Sequence, residues 1–422
     1  MELLADSQGL MKTASIVSIG GEILTGHTTD TNASYLAAKL LSIGMPVVSS
    51  YTVNDDVSSI VRALNLAAGD ADVILATGGL GPTDDDLTRQ ALAKFLATDL
   101  QLQEQLLEKM RDFFNRRSLQ MPPRNKIQAY IPAGAKALTN SLGTAPGIMA
   151  QAKAKLLIAL PGVPAEMRQM FEDSVLEKLK ELTAGQAVAV RKLNCFGTGE
   201  SNIAELLGPL MQRGRNPLIN STASHGIITL HIIATAKDKD TAKQMVEKDE
   251  KSLRNTLADL IYGTGEQTLA EVVGKKLAQR AMTIAVAESC TGGTLARLLT
   301  DVPGASEYFV QGWVTYSDSS KTTELGVPAD LIEKHGAVSE HVAVAMAQGA
   351  RTRAGTDIAI GITGIAGPTG GTEQKPVGLV YITVDSHSGC ECKNFVFAGH
   401  RGSIRLRAAQ TALNLLRKKL QN

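Results

Sequence analysis

Ile284-Ala-Val-Ala-Glu-Ser-Cys-Thr-Gly-Gly-Thr-Leu-Ala-Arg-Leu-Leu-Thr300 is the stretch that decides how the last third of the chain folds. Ile284, Ala285 and Val286 form a short apolar run that reads as a buried strand. Gly292 and Gly293 permit a tight turn, and Thr294 to Thr300 reads as a helix. A hydroxyl at such a turn stands at the sheet edge beside a helix start. The free N–H groups and positive dipole end there favour a developing negative charge. Ser289 is therefore a candidate nucleophile, against the simpler reading of a helix cap. Cys290 is a rival with the stronger nucleophile chemically. One residue along, it is expected to point into the helix–sheet packing, where a thiol behaves as a small hydrophobe.

Around this turn the pattern continues as alternating strands and helices. A helix is expected from Glu266, with Leu269, Val272, Val273 and Leu277 on one side. Tyr308 to Tyr316 reads as a second strand ending in Thr315-Tyr-Ser-Asp-Ser-Ser-Lys321. Ser339 opens another helix, and Asp357 to Thr363 is a third strand running into Gly364-Ile-Ala-Gly-Pro-Thr-Gly-Gly. Val377 to Val384 and Asn394 to Ala398 read as further strands, and Ser403 to Leu420 as a closing helix. Three strand ends thus converge in principle. A serine needs a base, and no histidine has a triad-like context. Lys321 is the better base: its free pKa is about 10.4, and desolvation or a neighbouring cation would lower it. Tyr316 could relay a proton or orient the amine. Thr291 to Gly293 and the Thr363–Gly364 loop offer N–H donors to an oxyanion or a phosphate. By themselves, Lys321 reads as a solvated helix-start lysine and Tyr316 as a strand-end core residue.

The first part of the chain has the same grammar. Strands are read at Ser15 to Gly20, Pro46 to Val53 and Asp72 to Thr77, with helices opening at Asp30 and Val57. The third strand is continuous in apolar residues, as a parallel strand covered on both faces would be. A doubly wound α/β domain with its site at the C-terminal strand ends follows. Thr77-Gly-Gly-Leu-Gly-Pro-Thr-Asp-Asp-Asp then supplies glycines for close backbone approach and N–H groups for an anion. Asp84, Asp85 and Asp86 are either ligands for a divalent cation or the solvated acidic start of a helix at 87–97. Leu102 to Arg116 reads as a helix, Gly147 to Leu160 as two strands and Ala165 to Leu182 as a helix. Between the two larger domains, Gln186 to Leu260 reads β-α-β-β-α, a small α+β module of KH-like shape. It lacks a Gly-x-x-Gly loop flanked by basic residues, so RNA binding is not inferred. His225 and His231 read as ordinary surface or strand histidines.

Composition narrows the class. A chain of 422 residues has room for two or three domains. A net charge of +1, evenly spread, argues against nucleic-acid and polybasic membrane partners. No apolar run approaches the ~20 residues of a membrane span, and Met1 to Leu10 has no secretion-signal pattern. The four cysteines are scattered, so reduced thiols and a cytoplasmic location are expected.

The motifs together resemble a known family. The loop at 77–88 resembles the molybdopterin-binding (MoCF) signature, as does Leu160-Pro-Gly-Val-Pro-Ala-Glu. Ala-Glu-Ser-Cys-Thr-Gly-Gly, Val-Thr-Tyr-Ser followed by Lys321, Gly-Ala-Val-Ser-Glu at 336–340, Thr-Gly-Ile-Ala-Gly-Pro-Thr-Gly-Gly with Lys375-Pro-Val-Gly, and a terminal Arg-x-x-x-Arg resemble the CinA C-terminal domain. The whole chain is similar to the full-length CinA family (competence-damage-inducible protein A). The resemblance implies an α/β fold of two α/β sandwich domains joined by a KH-like module, at 11–175, 186–262 and 265–422. It implies a nicotinamide-nucleotide amidase that converts nicotinamide mononucleotide (NMN) to nicotinate mononucleotide and ammonia without a cofactor. Ser289 would be the nucleophile, Lys321 the base and Tyr316 the relay. Thr291, Gly292, Gly293, Thr363, Gly364 and either Arg401 or Arg405 would bind substrate. In the first domain it implies an ADP-ribose pyrophosphatase using Mg, Mn or Co. Glu22, Asn32, Gly78, Gly79, Gly81 and Thr83 would form the nucleotide site, and Asp84 and Asp86 would hold the metal. NAD recycling and a homo-oligomer, with a dimer first, complete the expectation. The rivals are a pyrophosphatase whose C-terminal domain only senses nucleotides, and a pterin- or nucleotide-binding scaffold in competence.

Overall fold

The computed structural model describes residues 12–152, 154–183 and 187–421. The expected domain limits at 11, 186 and 422 lie outside the described residues. Two compact units divide the chain, one reaching Val190 with Ile233–Val246, the other Arg191–Ile232 with the residues from Glu247 onward.

The first unit is built on a six-stranded sheet in the order Val47–Val53, Ala14–Ile19, Val73–Thr77, Lys155–Leu160, Gly147–Ala152, Lys136–Leu138. The first four strands run parallel and the last two antiparallel. Strand alternation sends Ile16 to one apolar cluster and Val17 and Ile19 to another, so helices cover both faces. The helix Thr31–Ser42 begins where expected, Asp30 accepting from the Ala33 N–H. A short helix, Gly21–Leu24, and the two-stranded pair Leu100–Leu102 with Tyr130–Pro132 were not legible in the sequence. These strands are too brief to show a period.

The small module is a four-stranded sheet in the order Leu218–Ser224, Ile227–Ala236, Ala187–Phe196, Ile261–Thr264. Its fourth strand corrects the β-α-β-β-α expectation: Ile261 pairs antiparallel with Cys195.

The C-terminal domain is a five-stranded sheet in the order Phe309–Val314, Ile284–Glu288, Ile358–Gly364, Leu379–Ser386, Gly389–Val396. The first three strands are parallel and the last two antiparallel. Ile284 and Val286 pack into a cluster with the helix Arg401–Lys419. Ala285 and Ala287 pack on the other face against Leu325, Val342 and Met346. The last strand begins at Gly389 rather than Asn394, because it is a mostly exposed edge strand whose side chains carry little apolar pattern. The helices Asp318–Leu325 and Ala329–His335 also escaped the sequence reading, being short and polar. Among the described residues no helix is long and apolar enough to cross a membrane.

Candidate active site

Three parallel strands of the C-terminal domain end at one edge, and their register assembles the site. Glu288 lies level with Val314 on one neighbour and with Ile362 on the other. Ser289 therefore follows level with Thr315 and Thr363. The Ser289 N–H donates to the Ile362 carbonyl at 2.9 Å, and the Thr315 N–H donates to the Glu288 carbonyl at 2.9 Å. The carboxyl edge of parallel strands is where α/β sheets place ligands.

Alternation then separates the two rival nucleophiles. Ala285 and Ala287 face the cluster that contains Leu325, and continuing the period assigns Ser289 to that face. Cys290 belongs to the opposite cluster and is 5% exposed. Burial pushes its thiol up to about 12, which keeps it protonated and inert near neutrality.

Lys321 stands on the helix Asp318–Leu325, on the Leu325 face, and is 1% exposed. It is thus a buried amine rather than a solvated helix-start lysine. Ser317 caps this helix by accepting from the Ser320 N–H. From the first turn, the Lys321 side chain folds back onto the strand end it has just left. Its Nζ donates to the Thr315 carbonyl at 3.0 Å and the Tyr316 carbonyl at 3.3 Å, with the Ser317 carbonyl at 3.5 Å. Burial lowers its pKa, opposed by the Asp318 carboxylate 3.8 Å away. The three carbonyls together fix the direction of the amine at the strand end.

Tyr316 is exposed rather than in the core, and its hydroxyl accepts from Arg401 Nη2 at 2.7 Å. Arg401 Nη1 donates to the Gly367 carbonyl at 2.8 Å. The two arginines that the sequence left as alternatives separate here. Arg405 Nε and Nη2 donate to the Thr291 carbonyl at 2.9 and 2.7 Å, and Nη2 reaches the Gly292 carbonyl at 3.3 Å. Arg405 therefore braces the nucleophile turn, while Arg401 joins Tyr316 to the glycine-rich loop. Gly292 and Gly293 adopt φ of +57° and +88°, the left-handed region that favours glycine. Thr363 Oγ1 donates to the Ala337 carbonyl at 2.8 Å. Gly364 leaves room for the adjacent strand, since a Cβ would stand 2.6 Å from the Leu379 carbonyl oxygen.

Glu288 is the residue the sequence reading missed. Its side chain is fully buried, and its oxygens accept from the Leu295 N–H at 3.0 Å and the Ala296 N–H at 2.7 Å. A lone acidic residue ending an apolar strand was the available signal. This corrects one expectation: N–H groups in the first turn of the helix Thr294–Thr300 serve an internal carboxylate. Donors to an oxyanion must come from the turn before it.

In the first unit, Gly78 and Gly79 open the loop with φ of +107° and +64°. Arg89 is buried beneath it, Nη1 donating to the Leu80 carbonyl at 2.6 Å and Nη2 to the Gly81 carbonyl at 2.8 Å. Asp86 accepts from the Gly81 and Thr83 N–H groups, each at 2.7 Å, and from Thr83 Oγ1. Exposed Asp84 pairs with Arg124 at 2.6 Å. Glu22 and Asn32 lie on helical segments rather than strand ends. Buried Asn32 donates to Thr77 Oγ1 at 3.1 Å and the Gly162 carbonyl at 2.8 Å, and its Oδ1 has no partner. Among the described residues, no three His, Cys, Asp or Glu side chains gather to hold a metal ion. Asp84 and Asp86 are engaged separately, so the donors present do not fit a preformed metal cage.

Comparison with known proteins agrees with this arrangement of parts. Residues 266–420 match the CinA C-terminal domain, 15–181 the Probable molybdopterin binding domain, and 190–263 the Damage-inducible protein CinA KH domain. A CinA-like protein of Dictyoglomus thermophilum is 42% identical over 407 residues, 96% of this chain and 99% of its own length.

The chain belongs to the CinA family.

A second CinA-like protein, from Geobacter sulfurreducens, is 42% identical over 97% of this chain and 99% of its own. Among solved structures, the protein CinA from Thermoplasma acidophilum is 33% identical, spanning 40% of this chain and 98% of its own, with a TM-score of 0.38. The three larger sheets fall one in each matched domain.

Proposed function

We propose that this CinA-family chain hydrolyses the carboxamide of nicotinamide mononucleotide, releasing ammonia and nicotinate mononucleotide, with Ser289 as nucleophile. One observation carries the reading. A buried lysine with a lowered pKa has its amine held by the carbonyl of Thr315, whose own N–H donates to the carbonyl just before Ser289. In this reading Ser289 Oγ attacks the amide carbon and Lys321 takes its proton. N–H groups of Cys290, Thr291 and Gly293 in the turn, braced by Arg405, receive the oxyanion, the Gly292 N–H being taken by the Ser289 carbonyl. The charged Lys321 then protonates the departing ammonia, with Tyr316 as relay, and water cleaves the acyl-enzyme. Arg401, exposed beside the Gly364 to Gly371 loop, is the arginine open to a 5′-phosphate. No cofactor enters these steps. The test is ammonia release from NMN by the full chain. Ser289→Ala is expected to lower kcat by about 10³-fold or more. Full activity in that variant, with wild-type folding, would remove the mechanism.

A second activity, cleavage of the ADP-ribose pyrophosphate in the first domain, draws support from the orphaned, buried Asn32 Oδ1 beside Thr77 and from the Arg89-braced glycine loop. Since the carboxylates present form no metal cage, no metal step is derived. Phosphate-ester products from ADP-ribose, assayed with and without chelator, test it. Their absence in both conditions would leave this domain a binding module.

A further inference from the structure

Thr315 touches both halves of the pair at the centre of the site, through its backbone. Its N–H donates to the carbonyl just before Ser289 at 2.9 Å, and its own carbonyl accepts from Lys321 Nζ at 3.0 Å. It lies level with Ser289, one residue past the Glu288–Val314 pairing. Its side chain is 1% exposed, and its Oγ1 is buried without a hydrogen-bond partner. Buried hydroxyls are nearly always satisfied, so an orphan at this position calls for an explanation. A valine would have the same shape, lack the unmet polar group and suit a strand end better. The hydroxyl therefore carries a cost to folding, at the place where a proton must leave a serine.

We propose that the Thr315 hydroxyl donates a hydrogen bond to Ser289 Oγ as that oxygen becomes nucleophilic, holding it toward Lys321 and the substrate carbonyl. This rests on the Ser289–Lys321 amidase reading. In the step, the Ser289 O–H bond breaks and its proton passes to the Lys321 lone pair. A bond forms between Oγ and the amide carbon, and the carbonyl π pair moves onto its oxygen. Thr315 keeps its proton throughout. Its donor offsets negative charge on Oγ before the new bond is complete, when Lys321 alone faces it. Such hydrogen bonds are often unmade in the free enzyme and close only with substrate bound. This accounts for the unpartnered Oγ1 of Thr315.

Thr315→Val and Thr315→Ser test the idea in the full chain. Thr315→Val is expected to lower kcat for NMN by about 10²-fold, with KM little changed, while melting at or above the wild-type temperature. Thr315→Ser, which keeps the donor, is expected to stay close to wild type. A Thr315→Val enzyme with wild-type kcat, or a Thr315→Ser enzyme as impaired as Thr315→Val, overturns the proposal. If Thr315→Val does not fold, Thr315→Ala serves as the second hydroxyl-free variant. A measurement without NMN separates this from failure of the amidase reading: the rate at which a fluorophosphonate labels Ser289. Wild-type labelling slowed by Thr315→Val supports the proposal even if NMN is not turned over. Equal rates overturn it while leaving the amidase reading intact. A wild-type chain that neither labels nor releases ammonia overturns both.

Discussion

Replacing Glu288 by Gln tests how the nucleophile turn is held. The carboxylate accepts two N–H groups, from Leu295 at 3.0 Å and Ala296 at 2.7 Å, in a fully buried position. Glutamine has nearly the same shape but only one acceptor oxygen. Whichever way the amide turns, its NH2 faces the other backbone N–H. One charge-assisted bond is lost, about 1.5–3 kcal/mol, and one buried N–H is left unmet, about 1–3 kcal/mol. The expected destabilisation is about 3–5 kcal/mol. For a domain of this size that corresponds to roughly 10 °C in midpoint. Trp313, the only tryptophan of the chain, packs on the adjacent strand. Its fluorescence during urea titration therefore reports the unfolding of this sheet. The variant should show a lower midpoint at unchanged slope. A loss below about 1 kcal/mol would refute the argument, because it would mean that the helix start is satisfied by something other than Glu288.

Three further outcomes are expected. Lys321→Met should abolish the rise of amidase rate with pH: burial holds the wild-type amine below its ordinary value, so the neutral base gains population below pH ~10.4. The sign for stability follows, since the folded pKa lies under the unfolded one. The wild type carries the full penalty of a buried charge at low pH and sheds it as pH rises through the folded value, a gain that Lys321→Met should lack in pH-dependent unfolding. Cys290→Ala should keep most of the amidase rate, because its thiol is buried and pushed up to about 12; a loss as deep as that of Ser289→Ala would make the thiol the nucleophile. Gly78→Ala should destabilise the first domain by about 3 kcal/mol or more, since φ is +107° and a Cβ would stand 2.0 Å from the Ile19 carbonyl oxygen; unaltered thermal unfolding by circular dichroism would contradict this.

What was legible in the sequence was local. Apolar runs such as Val73–Thr77 and Ile284–Glu288 announced buried strands, because a strand covered on both faces needs no polar alternation. Asp30 and Ser339 marked helix starts, because a cap is satisfied within three residues. Ser289, Tyr316, Lys321 and the glycine loops stood out as candidates through their type and their place after strands. The edge strand Gly389–Val396 and the polar helix Asp318–Leu325 did not show, since neither buries enough apolar surface to impose a period. The roles that depend on distant partners were hidden altogether. Lys321 looked like a solvated lysine until its helix folded it under the Thr315 carbonyl. Arg401 and Arg405 were interchangeable until one reached Tyr316 and the other the Thr291 carbonyl. Asp86, read as a metal ligand, also accepts from two N–H groups of its own loop. By itself, then, the sequence determined the α/β class and the list of reactive residues, because those follow from residue type and short-range period, while its motifs carried the resemblance to the family. Only the tertiary structure decided which oxygen and which amine share a face, and which carboxylates are already spent, because burial and hydrogen-bond satisfaction are set by parts of the chain far apart in sequence.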